Sequence, residues 1–328
     1  MKKLTACLCF VLGICAVLSA ADPLTQFMSP YADATLYVTN KNTMKNLDKA
    51  FQKKVEKDQK EAAHQLEIEG VDVDEDDDEE NDPVSLLFSR ISDRDAAAVF
   101  NLYVISWKGP KMVINGVANI SGNLQSDMED IRKKFPQLEK VQSDRRNASF
   151  LYDAPDGMKF SVLAEDRNTL HFQIDIRYDN PIPFAPLKAF RKKLEIPFDV
   201  KEPMFLFNCR PERIFRLLPP SMSVAPEFSN NLQQISDFFI SGQIEGKNLK
   251  LNSVAECKDE KSAGELLERF NASFKKDFAA DTYGLFFSNF NSRSSGSRIL
   301  SDVDLELENA WDLLKKIPGV DFSGNEEP

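Results

Sequence analysis

LYVISWKGPKMVINGVANISGNLQSDMEDIRKKF, residues Leu102–Phe135, and FISGQIEGKNLKLNSVAECKDEKSAGELLERF, residues Phe239–Phe270, follow one order: strand, glycine turn, strand, amphipathic helix. The first turn is Lys108-Gly109-Pro110-Lys111 and the second Glu245-Gly246-Lys247-Asn248. Aligning Gly109 with Gly246 sets Met112 against Leu249, Ile114 against Leu251, Gly116 against Ser253, Ala118 against Ala255 and Ile120 against Cys257. Small and apolar residues recur at every second position, the period of one strand face. Agreement over such a length points to a duplicated unit.

Outward from this core, Ala34–Thr39 reads as a strand, followed from Thr43 by a helix carrying Met44, Leu47, Phe51 and Val55. Val84–Phe88 is a short helix, and Met128, Ile131, Phe135 and Leu138 form the buried stripe of a helix capped by Ser126 or Asp127. Three strands follow, Ser149–Asp153, Lys159–Glu165 and Thr169–Arg177. In the last, Leu170, Phe172, Ile174 and Ile176 should face a core while Thr169, His171, Gln173 and Asp175 face water.

Residues 179–200 carry Pro181, Pro183, Pro186 and Pro197 and read as a linker enclosing a basic helix near Leu187–Leu194. The second unit opens on Pro203–Cys209, apolar on both faces like a central strand. A helix started by Pro211 comes next, then the hairpin and the helix bearing Ala263, Leu266, Leu267, Phe270 and Phe274. Tyr283–Asn289 and Ile299–Leu307 are strands around a loop at Ser292–Ser297, and a helix near Trp311–Ile317 ends the unit.

The fold class expected is α+β: two related β-α-β-β-α-β units, residues 22–178 and 201–318, in the ferredoxin-like order. Each has extra C-terminal strands, an antiparallel or mixed sheet, and helices on one face. In that order the first and third strands of a unit are parallel neighbours. Cys209 ends the first strand and Cys257 the third, so a disulfide between them is expected, closing a loop worth about 3–4 kcal/mol in the chain-entropy model. Asn40 and Ile120 hold the matching positions of the first unit.

Lys2 and Lys3, the apolar run Leu4–Leu18 and the small residues Ser19-Ala20-Ala21 make residues 1–21 a Sec-type signal peptide of bacterial style. The run is short for a membrane span, so no transmembrane segment is expected after cleavage, and the destination is the periplasm or the exterior. Cys7, Cys9 and Cys15 leave with it, so Cys209 and Cys257 are the pair that an oxidising compartment would act on.

The formal charge is −11, from 52 acidic and 41 basic side chains, but eleven of the acids lie between Glu67 and Asp82, where no base occurs. The remainder is balanced, with no basic stripe suited to nucleic acid. Mutual repulsion should keep the loop 67–82 extended. Asp72, Asp74 and Asp76 match the opening ligands of an EF-hand loop, but Asp77 stands where its glycine belongs and Pro83 where its glutamate belongs. Asp72, Asp74, Asp76 and Asp78 remain candidates for weak, diffuse calcium attraction. Residues 319–328 form a polar tail.

Catalytic signatures are missing. The two histidines, His64 and His171, are far apart and read as solvated; there is no metal-ligand cluster, nucleophile elbow or phosphate loop. No cofactor is expected. Phenylalanine pairs at Phe238-Phe239 and Phe286-Phe287 imply apolar contacts on both sides of the second sheet.

The segment Pro30-Tyr-Ala-Asp-Ala-Thr-Leu-Tyr-Val38 resembles the opening of uncharacterised bacterial secreted proteins with duplicated α+β units, which implies an envelope protein. The expectation is a non-enzymatic binding or assembly component with an envelope protein or ligand as partner. The rivals are a carrier of apolar ligand in a Phe-lined groove and a hydrolase whose carboxylates converge only on folding.

Overall fold

Strand β7 (Phe205–Cys209) lies between β1 (Ala34–Thr39) and β8 (Ile235–Glu245), paired on both edges as a central strand; Leu206 and Asn208 on one face are buried, and Phe205, Phe207 and Cys209 on the other are half-buried. The computed structural model describes residues 23–39, 83–91, 94–106, 111–138, 148–154, 157–176, 183–197, 203–217, 232–278 and 287–307. It is an α+β protein built on one eleven-stranded sheet. The remaining strands are β2 (Ala96–Ser106), β3 (Lys111–Ile120), β4 (Ala148–Asp153), β5 (Met158–Ala164), β6 (Thr169–Ile176), β9 (Asn248–Cys257), β10 (Phe287–Ser295) and β11 (Arg298–Glu306). Their order is β10-β11-β9-β8-β7-β1-β2-β3-β6-β5-β4, and every pairing is antiparallel.

That order corrects the ferredoxin-like expectation. The hairpin's first strand, not its second, returns beside the opening strand: β2 pairs with β1 and β8 with β7. Cys209 lies opposite Phe238 and Cys257 opposite Ile235, so β8 separates the cysteines. Two strand spacings are roughly 9.5 Å, beyond the reach of a disulfide. Both thiols are free. Burial pushes the Cys209 thiol up to about 12, with the Asp237 charge adding to it, and burial raises Cys257 as well. Neither is disposed to ionise and exchange.

The alignment register holds in the backbone. Ile120 N–H donates to Asn168 O and Cys257 N–H to Ser297 O; the next residues, Ser121 and Lys258, donate to Asp95 and Gln234. In each half the strand closing the unit, β6 or β11, pairs beside the hairpin's second strand, and β1 and β7 meet at the centre with Leu36 opposite Phe207.

Helices α1 (Pro83–Ile91) and α2 (Leu124–Lys134) cover one face of the first half. Leu87, Leu124, Met128 and Ile131 pack on Ala98, Ala118, Ile120 and Phe150. Asn123, not Ser126 or Asp127, caps α2, its side chain accepting from Ser126 N–H. Arg94 grips Asp127 through both carboxylate oxygens, at 2.6 and 3.1 Å. In the second half, α3 (Pro211–Leu217) and α4 (Glu260–Phe278) follow β7 and β9; Ala263, Leu266 and Leu267 pack on Ala255, Cys257 and Ile299.

Two further expectations change. Ser292–Ser297 is not a loop: β10 runs to Ser295 and turns at Gly296, whose φ of 59° suits a residue without Cβ. Leu187–Leu194 is not a helix but irregular chain, with Leu187, Leu194 and Ile196 all reaching the same apolar cluster on the sheet. His64, the helix from Thr43, the loop with Asp72, Asp74, Asp76 and Asp78, the signal segment and the helix near Trp311 lie outside the described residues.

Candidate binding face

Opposed residues in an antiparallel sheet share a face. Pair by pair, Ser161, Gln173, Asn115, Asn101, Thr35 and Asn208 stand opposite one another on β5, β6, β3, β2, β1 and β7. This polar row crosses the face opposite the helices, and all of it but Asn115 is buried. The adjoining row is Leu163, His171, Val117, Val99, Tyr37, Leu206 and Ser241. Period-two patterning marks β6 as having a wet side, yet His171, Gln173 and Asp175 are buried.

Two stretches outside the sheet cover this face, the first opening with a 3-10 turn at Pro23–Phe27 and the second irregular. Residues 23–33 lay Leu24 and Met28 onto Tyr37, Val99 and Val117, and residues 183–197 add Leu187, Leu194 and Ile196. Side chains of the sheet hold both by their backbones. Asn101 Oδ1 accepts Ser29 N–H at 2.7 Å while its Nδ2 donates to Phe27 O at 3.0 Å, so one amide serves both sides of the strap as a neighbouring strand would. His171 Nδ1 accepts Leu187 N–H at 3.1 Å, which leaves the proton on Nε2, 2.8 Å from Glu165 Oε2. Phe190 N–H donates to Gln26 O and joins the two straps.

The straps tie down at the junction of the halves. Asp33 is fully buried; its Oδ2 accepts Val104 N–H at 2.8 Å, and Arg213 Nε stands 2.8 Å from Oδ1 as a charge contact. Arg210 N–H donates to Asp33 O, and its guanidinium reaches Pro30 O and Asp237. Burial raises the Tyr103 phenol against its hydrogen bond to Ser29, and the Asp33 charge raises it further. Burial likewise raises Asp175, although Gln173 Nε2 donates to both its oxygens and Lys159 favours its charge.

Chemically this face grips the backbone of irregular chain through side-chain hydrogen bonds. Both nitrogens of His171 are engaged, and among the described residues no group of three or more His, Cys, Asp or Glu is placed to hold a metal ion. Of the residues singled out in the sequence, Cys209 and Cys257 lie on the other face and are not brought together. Asn101, Asp33 and His171 become visible as a set only through the cross-strand register; the nearest sequence signal was asparagine and aspartate inside otherwise apolar strands. Among the described residues no helix is long and apolar enough to cross a membrane.

No family model and no curated protein matches the chain. Among solved structures, three crystal forms of TP0453 are similar. Form III has a TM-score of 0.43 at 10% identity, covering 91% of this chain and 99% of that one. Form I has 0.42 at 8%, covering 90% and 98%, and form IV 0.40 at 9%, covering 90% and 97%.

Proposed function

We propose that this is a non-enzymatic binding or assembly protein of the bacterial periplasm or exterior, delivered by residues 1–21 as a signal peptide and built from two related units. The observation that carries the reading is the use of the buried polar side chains. Asn101 and His171 spend their hydrogen bonds holding the backbone of covering chain, not converging on one reactive atom. A sheet face able to hold chain in this way suits a surface that works by contact. The test is expression in a bacterial host with a photo-crosslinker at positions on the second half of the sheet. The expected result is a secreted protein beginning near Asp22 and a discrete crosslinked envelope partner. Cytoplasmic retention with residues 1–21 attached would refute the placement, and discrete turnover of a small substrate by the purified protein would refute the non-enzymatic reading.

A second reading, carriage of an apolar ligand, is favoured by the helix-side face of β8, β9 and β11. There Ile244, Leu249, Leu251, Val303 and Leu305 are only half-buried. Phe270, 47% exposed, sits beside Phe290 at the same end. Native mass spectrometry of protein taken from the envelope should then show an added apolar mass that organic extraction removes.

A further inference from the structure

The strap 183–197 has an inner and an outer side. Leu187, Leu194 and Ile196 point into the apolar cluster, and His171 and Gln26 pin its backbone. Lys188, Arg191, Lys192 and Lys193 are all exposed, and among the described residues none forms an ion pair. Beside them stands Tyr31, 59% exposed, its ring edge-on to Phe190 at 6.5 Å. Four exposed cations, none ion-paired among the described residues, thus share one stretch with an exposed tyrosine whose ring meets a half-buried phenylalanine. Among the described residues, Glu165 is turned to His171, Asp166 accepts from Asn168 and Thr169, and Glu195 lies within the strap.

We infer that this strap is a docking surface for an anionic lipid bilayer. The composition is that of an interfacial anchor: an apolar ring body with a polar tip, ringed by long cationic side chains whose stems lie along apolar surface and whose charges reach headgroups. Spread over residues 188–193 of an exposed, irregular stretch, the four cations suit a laterally mobile array of headgroups better than a single discrete anion. Each basic residue near an anionic membrane surface adds a similar increment, so four together change the partition by roughly 100-fold or more. The inference stands apart from the binding-protein reading: a catalyst or a carrier could dock in the same way.

The test uses the mature full chain with sedimented vesicles of phosphatidylglycerol and phosphatidylcholine in equal parts, and of phosphatidylcholine alone. Binding to the anionic vesicles only is expected, falling steeply between about 0.05 and 0.5 M salt as screening shortens. The quadruple variant K188Q/R191Q/K192Q/K193Q should lose roughly 100-fold or more, with an unchanged near-ultraviolet circular dichroism spectrum because these side chains point outward. Tyr31→Ser should weaken binding several-fold at fixed salt. Unchanged binding by the quadruple variant, equal binding to both vesicle types, or no binding to either would overturn the inference. So would binding to heparin or a single-stranded oligonucleotide as tight as to the vesicles, since the patch would then be a general polyanion site.

Discussion

Val104, Met112, Ile174 and Ile176 in the first half occupy the same sheet positions as Ile244, Leu249, Val303 and Leu305 in the second. Val104 faces Met112, which faces Ile176, and Ile244 faces Leu249, which faces Leu305. The first four are buried together, whereas the second four are half-exposed. One strand order has been completed in two ways. The same positions in the sheet are thus covered to different extents in the two halves. The first half is the more completely buried body, and the second keeps apolar surface open.

The largest expected effect tests that difference at a single pair. Gly116 on β3 lies opposite Phe172, and a Cβ there would meet Val99 O at 2.1 Å and the Phe172 ring at 2.3 Å. The equivalent pair in the second half is Ser253 and Ser301, two small residues with room for Cβ atoms. Gly116→Ala should cost about 3 kcal/mol through overpacking, while Ser253→Gly costs about 1 kcal/mol. Urea unfolding midpoints measure both; similar midpoints would show that the halves are not packed differently here.

Next come Met112→Ala and Leu249→Ala, which remove equivalent side chains. Met112 is buried, so its loss should cost about 2–3 kcal/mol including the cavity. Leu249 already meets solvent and should cost about 1 kcal/mol. Equal costs would mean that the open face of the second half is covered in solution.

How far the sequence could anticipate this is clear from particular residues. Gly109 with Gly246 placed Ile120 against Cys257, and the backbone repeats there donor for donor. Period-two patterns located β4, β5 and β6 within two residues. Strand neighbours were not legible, because the same order of elements serves a parallel first and third strand or an antiparallel return. The Cys209–Cys257 bridge fell with that step. Nor could alternation reveal that the polar side of β6 is buried, since a covering strap 183–197 reads as a proline-rich linker. His171 reads as solvated for the same reason, and no sequence motif marks Asn101: whether a polar strand residue meets water or a strap depends on contacts far away in sequence.

Asn101 and Ser241 sharpen the comparison on the opposite face, at equivalent positions of β2 and β8. Asn101 holds the strap, and its truncation leaves Ser29 N–H and Phe27 O unpaired in the interior. Asn101→Ala should therefore cost about 2 kcal/mol and speed proteolysis of residues 23–33. The buried Ser241 hydroxyl has no partner among the described residues, so Ser241→Ala should stay within about 0.5 kcal/mol. A large loss from Ser241→Ala would assign that face of the second half a contact of its own.

The smallest effect separates the halves by pH. Asn123 caps α2 with a neutral amide, its Oδ1 3.4 Å from Ser126 N. Asp259 stands at the same place before α4, its Oδ1 2.7 Å from Ser262 N. The Ser262 backbone and hydroxyl donors, helped by Lys261 and Lys258, hold the Asp259 carboxyl below the ordinary aspartate range. A depressed folded-state value means that the ionised cap contributes stability above the unfolded value, and that this contribution is lost as pH falls through the folded one. Acidification across that window should thus fray the start of α4 more than that of α2, whose cap Asn123 does not titrate. Amide exchange, corrected for its intrinsic pH dependence, should show a larger fall in protection at Ser262 and Ala263 than at Ser126. Asp259→Asn should abolish the difference; fraying of both helix starts in parallel would trace the pH response to carboxylates shared by the whole sheet.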